Sequence, residues 1–180
     1  VVVTVKMDGE NTTWYKDGFH SRSIDSSYHE SRAFVNRLHG EKSWMLNDNE
    51  RICGENLYAE HSIHYKELSG YFYVFGYWID NECQSWDDTV KRAEELDLPT
   101  VDVIYRGIWD ENVIKALKAQ KFNGNEMEGY VVRPASAFTH DFESKNAKMP
   151  LAKYVRKDHV QTDQHWTKKK VIPNELRKYE

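Results

Sequence analysis

The chain opens on five apolar or β-branched residues, Val1-Val2-Val3-Thr4-Val5, which predict a buried strand. The run gives way to Lys6-Met7-Asp8-Gly9-Glu10-Asn11, where Asp8-Gly9 signals a turn. Residues 12–15 read as a returning strand, Lys16-Asp17-Gly18 as a hairpin turn, and residues 19–23 as a third short strand. Ser26 or Ser27 is placed to cap a helix reaching about Leu38, with Phe34, Val35 and Leu38 inward and Gly40 as the stop.

Residues 43–46 and 50–57 look like strand material on either side of Asn47-Asp48-Asn49. Residues 71–79 are dense in aromatics and predict a strand buried on at least one face. Ser85 caps a helix through about Leu96, ending before Pro99, and a strand follows at residues 100–105. Val113, Ile114 and Leu117 lie at helical spacing within a predicted helix over 110–120. Residues 127–133 and 151–156 read as strands, and the end is polar and irregular or briefly helical. Many strands joined by turns, with a few helices, predict an α+β fold of antiparallel sheets and not a doubly wound parallel one. No internal repeat is present.

Composition narrows the class. Aromatics make up 13% of 180 residues, which demands a core and excludes a disordered chain. Charged residues make up 30%, and no apolar run approaches the roughly 18 residues of a membrane span. Cys53 and Cys83 do not make a disulfide framework; they read as two buried thiols in a reducing compartment. With no visible signal peptide, the expected location is cytoplasmic. His61 and His64 lack the companions of a zinc site and read as hydrogen-bonding residues. The net charge of −4 conceals an asymmetry: residues 145–180 hold ten Lys or Arg against four Asp or Glu. A basic end on an acidic body suggests contact with a polyanion such as phosphate or nucleic acid. Charge alone fits a solvated basic face at least as well.

Lys6 is the residue of most chemical interest. It ends a buried strand beside an Asp-Gly turn, outside bulk water. Free lysine titrates near about 10.4 and is a poor nucleophile at neutral pH, but burial or a cationic neighbour frees its lone pair. Taken alone, it reads more simply as a strand-end lysine reaching for solvent.

An ordered set of segments changes that balance. Lys6-Met7-Asp8-Gly9 resembles motif I of the covalent nucleotidyltransferases, the superfamily of ATP-dependent ligases and capping enzymes. Ser21-Arg22-Ser23 falls at the spacing of motif Ia, and the segment Ile52-Cys53-Gly54-Glu55-Asn56-Leu57-Tyr58 resembles motif III. Tyr71-Phe72-Tyr73-Val74-Phe75-Gly76 resembles motif IIIa, and Glu128-Gly129-Tyr130-Val131-Val132-Arg133 closely matches motif IV. Leu151-Ala152-Lys153-Tyr154-Val155-Arg156-Lys157 sits where motif V belongs. In wording the motifs are most similar to the ATP-dependent RNA ligase family of phages and bacteria.

That resemblance implies an antiparallel-sheet nucleotidyltransferase domain over residues 1–160, with 161–180 as a basic segment packing on it or extending from it. It implies ATP and Mg²⁺ or Mn²⁺ as cofactors, and RNA with 5′-phosphate and 3′-hydroxyl ends as partner. Lys6 would take AMP from ATP. Lys153, helped by Arg156 or Lys157, would hold the α-phosphate. Arg22 would contact the nucleotide or the 5′-phosphate. Glu128 would bind the metal, and Glu55 the ribose or the metal shell. Phe75 would stack on adenine. Asp8 and Asn11 would position the lysine loop and the phosphates, and Gly9 would allow the tight turn. Lys168-Lys169-Lys170 with Trp166 could touch the phosphate backbone.

Three positions depart from the pattern. Val5 stands where many relatives carry an acid, Gly76 where many have Asp, and Val155 where a second motif V lysine is common. Little chain follows motif V, so no OB-fold domain is expected. The same motifs would also serve a nucleotidyltransferase with a different base or acceptor, or a weakly active nucleotide- or RNA-binding module.

Overall fold

The computed structural model describes residues 1–22, 28–159 and 168–179. Two antiparallel sheets carry it. The smaller combines β1 (Val2–Lys6), β7 (Val103–Arg106), β10 (Gly129–Arg133) and β12 (Ala152–Val155) in the order β12-β10-β1-β7. The larger combines β2 (Glu10–Tyr15), β3 (Gly18–Ser21), β4 (Glu50–Asn56), β5 (Phe72–Ile79), β6 (Glu82–Cys83) and β11 (Phe138–Thr139) in the order β11-β6-β5-β4-β2-β3. A hairpin of β8 (Lys121–Phe122) and β9 (Asn125–Glu126) stands apart. The helices are α1 (Ala33–Lys42), α2 (Trp86–Glu95) and α3 (Glu111–Ala116). The α+β expectation holds.

Three apolar clusters hold these layers together. Val2, Val5, Met7, Leu57, Tyr65, Tyr73, Trp86 and Met127 join the two sheets. Trp14, Val35, Ile52, Phe72, Val74, Ala93 and Leu96 seal the larger sheet against α1 and α2. Val3, Ile114, Leu117, Tyr130 and Val132 seal the smaller sheet against α3. Val2 through Val5 are all 3% exposed or less, so β1 is buried on both faces, as its β-branched run predicts.

Helix ends follow the sequence signals at two of three helices. Ser85 Oγ accepts from the Asp88 amide, and Asp110 Oδ1 accepts from those of Asn112 and Val113. The helix expected from Ser26 or Ser27 behaves differently; those serines lie outside the described residues. A 3₁₀ turn at Glu30–Arg32, capped by His29, leads into α1, which runs through Gly40 to Lys42. Gly40 fails as a stop because its neighbour His39 anchors the helix, its Nε2 lying 2.6 Å from the Tyr15 carbonyl and its ring edge-on to Trp14. Residues 43–46, expected as strand, instead form a 3₁₀ turn at Ser43–Met45 that continues α1. Cys53 and Cys83 are free thiols. No helix among the described residues is long and apolar enough to cross a membrane.

Residues 168–179 lie against the segment between β4 and β5. Ala59 bridges Pro173, and Leu68 bridges Leu176. Asn174 is the anchor: its amide donates to Leu57 O at 2.8 Å and accepts from Tyr65 N–H at 2.9 Å.

Candidate active site

β1 belongs to the smaller sheet and β2 to the larger, and only Met7-Asp8-Gly9 separates them. The chain therefore crosses between sheets at the motif I turn, and Lys6 stands at the seam. Gly9 is required there by close approach: a Cβ would fall 2.5 Å from Asn56 O and 2.7 Å from Leu57 Cδ2. Its amide donates instead to Glu55 Oε1 at 3.1 Å, tying the turn to the end of β4.

Asp8 is buried and held from several sides. Its Oδ2 accepts from the Ser62 and Ile63 amides, both at 2.8 Å, and its own amide donates to Tyr65 Oη at 3.1 Å. Burial raises the Tyr65 hydroxyl far above its ordinary range, so it remains a neutral phenol. Asp8 Oδ1 is left facing inward, 3.3 Å from His159 Nε2.

Glu128 immediately precedes β10, where Gly129 pairs with Lys6. That register brings Glu128 Oε1 to 2.6 Å from Lys6 Nζ. Gly129 is required by close approach too, since a Cβ would sit 1.7 Å from the Tyr154 carbonyl oxygen. Burial raises the Glu128 carboxyl above its ordinary value; the Lys6 hydrogen bond opposes this and Asp8 adds to it. Burial also pushes Glu55 up to about 8, against the pull of Lys6 and with further push from Glu128. Burial or a cationic neighbour would free the Lys6 lone pair. The structure instead pairs the amine with the Glu128 carboxyl, within electrostatic reach of Glu55.

Phe75 is half-buried against the cluster that contains Val5 and Met7, the residues flanking Lys6. Val5 itself is 3% exposed, which explains why an apolar residue stands there. Asn11 is exposed on β2 opposite Glu55, and Arg22 is exposed just past β3. Lys153 is exposed on β12 opposite Val131. Arg156 donates its backbone N–H to Glu128 O, while its guanidinium bonds Glu126 and Asp158 at 3.2 and 3.1 Å. Lys6 is thus bonded to Glu128 and Gly9 to Glu55, with Asp8 beside Glu128, whereas Asn11, Arg22 and Lys153 are surface positions. Ser23 and Trp166 lie outside the described residues.

Sequence reasoning missed four contributors: Tyr65, the Ser62-Ile63 amides, Asn174 and His159. None belongs to a motif, and the amides act through backbone, which no residue identity betrays. Asp8, Glu128 and His159 each offer one ligand atom, and these atoms lie within 4.8 Å of one another. Two carboxylates of this kind suit a hard divalent cation. His64, by contrast, hydrogen-bonds, to Glu60 at 2.9 Å and Glu175 at 2.7 Å.

The RNA ligase family model matches residues 1–155, and the chain belongs to that family. Among solved structures it is similar to the Naegleria gruberi RNA ligase with PPi, at 20% identity and a TM-score of 0.59 over 77% of this chain and 48% of that one. A mutant of the same Naegleria gruberi enzyme, solved with ATP and Mn, gives 19% identity and a TM-score of 0.53 over 77% of this chain and 47% of that one. The chain thus spans about half the length of those structures, and at these identities they support the shared fold. No curated protein matches it.

Proposed function

We propose that this chain is the nucleotidyltransferase part of an ATP-dependent RNA ligase that joins 3′-hydroxyl and 5′-phosphate ends. The observation that carries the reading is the Lys6 amine, fixed at the seam of the two sheets by Glu128, a carboxyl that feels Asp8, with Glu55 within electrostatic reach of the amine.

The Lys6 nitrogen attacks the α-phosphorus of ATP; the N–P bond forms as the bond to pyrophosphate breaks. A 5′-phosphate oxygen of RNA then takes the AMP from Lys6 and regenerates the amine. Finally a 3′-hydroxyl displaces AMP and the phosphodiester forms. Glu128 and Asp8 would hold a divalent cation, whose chemistry is to neutralise charge on the phosphate oxygens. Lys6 must release a proton before it attacks, and Glu128, 2.6 Å away, is the group in reach to accept it before a cation takes that carboxylate. Phe75 offers an aromatic face for the base, and Lys153 a cation for the α-phosphate once nucleotide draws it inward.

Transfer tests the acceptor. Protein loaded with labelled AMP and freed of ATP is mixed with 5′-phosphorylated RNA. The label should move to the RNA 5′ end, and unlabelled 5′-hydroxyl RNA should take none. Label that stays on the protein with every RNA, yet moves to another acceptor, would refute the RNA assignment.

A further inference from the structure

His159 is not part of any motif, yet it is the most enclosed side chain at the site, with 1% of its side chain exposed. Its position is built by backbone. Arg156 N–H bonds Glu128 O at 2.9 Å, and His159 N–H turns back onto Arg156 O at 3.2 Å. The turn after β12 thereby folds the imidazole over the seam. Nε2 lies 3.3 Å from Asp8 Oδ1 and 3.9 Å from Glu128 Oε1, while Nδ1 is buried with no hydrogen-bond partner among the described residues.

We infer that His159 completes a mixed nitrogen–oxygen cation site with Asp8 and Glu128, one that favours transition-metal ions such as Mn²⁺ and Co²⁺ over Mg²⁺. The inference deepens the ligase reading and rests on it for its biological sense. Neighbouring donors around a small divalent ion stand about 3.0–3.4 Å apart for bonds near 2.1 Å. The His159–Asp8 separation of 3.3 Å already matches, and the His159–Glu128 separation of 3.9 Å must shorten by about 0.5–0.9 Å. Asp8 Oδ2 is occupied by the Ser62 and Ile63 amides, which aims Oδ1 at the imidazole. Carboxylate oxygens alone do not separate Mg²⁺ from Mn²⁺, whereas an imidazole nitrogen binds later first-row ions more strongly and suits Mg²⁺ poorly. Glu128 Oε1 also takes the Lys6 ammonium, so an ion here competes with Lys6 for that carboxylate.

The test is metal binding by the whole chain without ATP. Mg²⁺, Mn²⁺ and Co²⁺ are titrated into wild type, His159→Ala and His159→Gln, with circular dichroism as the check on folding. Spin-echo modulation on bound Mn²⁺ reports a directly attached imidazole nitrogen. The expected result is modulation in wild type that is absent from both variants, with Co²⁺ affinity falling at least about tenfold while Mg²⁺ affinity is unchanged. His159→Gln supplies an amide oxygen of similar reach, so a folded Gln variant keeps the experiment decisive if the Ala variant unfolds. Unchanged Co²⁺ affinity, or equal losses for Co²⁺ and Mg²⁺, would overturn the site. AMP labelling is followed in parallel: its absence alongside His159-dependent Co²⁺ binding would count against the ligase reading and leave the metal site standing.

Discussion

Lys6 does two things, and they can be separated. Its alkyl stem ends a buried strand, and its amine pairs with Glu128, whose side chain is 5% exposed. A strand-end lysine that only reached for solvent would tolerate alanine at little cost. The structure predicts otherwise, because alanine leaves a buried carboxyl without its partner. We expect Lys6→Ala to lose about 1–3 kcal/mol in denaturant unfolding and Lys6→Arg, which keeps a cation, to recover most of it. Gly129 is a second residue where atomic detail decides. A methyl group there meets the Tyr154 carbonyl oxygen, so β10 and β12 must separate. Gly129→Ala should cost more than about 3 kcal/mol, near the severe end for single substitutions. A variant that melts with wild type would show that the strands pair differently. The motif lysine, acids and glycines were legible as residues. The backbone amides on Asp8 and the turn that delivers His159 were not, because neither depends on a recognisable side-chain pattern.

Among elements, long strands and capped helices were legible and short irregular ones were not. β1 and β5 carry dense apolar runs, and α2 and α3 begin at Ser85 and Asp110 as their side chains require. Gly40 misled because a glycine within a helix costs about 1 kcal/mol, which tertiary anchoring of His39 outweighs. The β8–β9 hairpin carried a usable signal in Asn123-Gly124, both with positive φ (54° and 76°). The C-terminal strap carried none, since Asn174 is one polar residue in a polar stretch. His64 helps to fasten that strap, with one ring nitrogen on Glu60 and the other on Glu175. The Glu175 hydrogen bond raises the His64 pKa, with Glu60 assisting against a smaller effect of burial. A histidine raised on folding stabilises fully below its unfolded value of about 6.5 and stops doing so as pH climbs through the folded value. Exchange of the Leu68, Asn174 and Arg177 amides, corrected for intrinsic rates, should therefore accelerate above neutral pH. His64→Gln should remove that pH dependence. A strap equally protected at both pH values in wild type would show that His64 does not fasten it.

At the scale of the molecule, two sheets meet along one seam, and the residues that matter to the proposal lie where β1, β4 and β10 end or begin. A sheet seam can position groups from distant parts of the sequence, here Lys6, Glu55 and Glu128, without any of them lying on a mobile loop. Family and fold were legible because the motifs are these strand ends, in order. The donors that complete the cleft were not, because they come from the segments joining the strands. The central claim is that Lys6 carries AMP. The most direct measurement mixes the protein with ATP labelled at the α-phosphate and a divalent metal, denatures it, and maps the label by peptide. Wild type should carry AMP on Lys6. Lys6→Arg, whose guanidinium holds the ion pair but has no lone pair to give, should carry none while unfolding at nearly the wild-type midpoint. Label on a folded Lys6→Arg chain, or on any other residue of the wild type, would contradict the account.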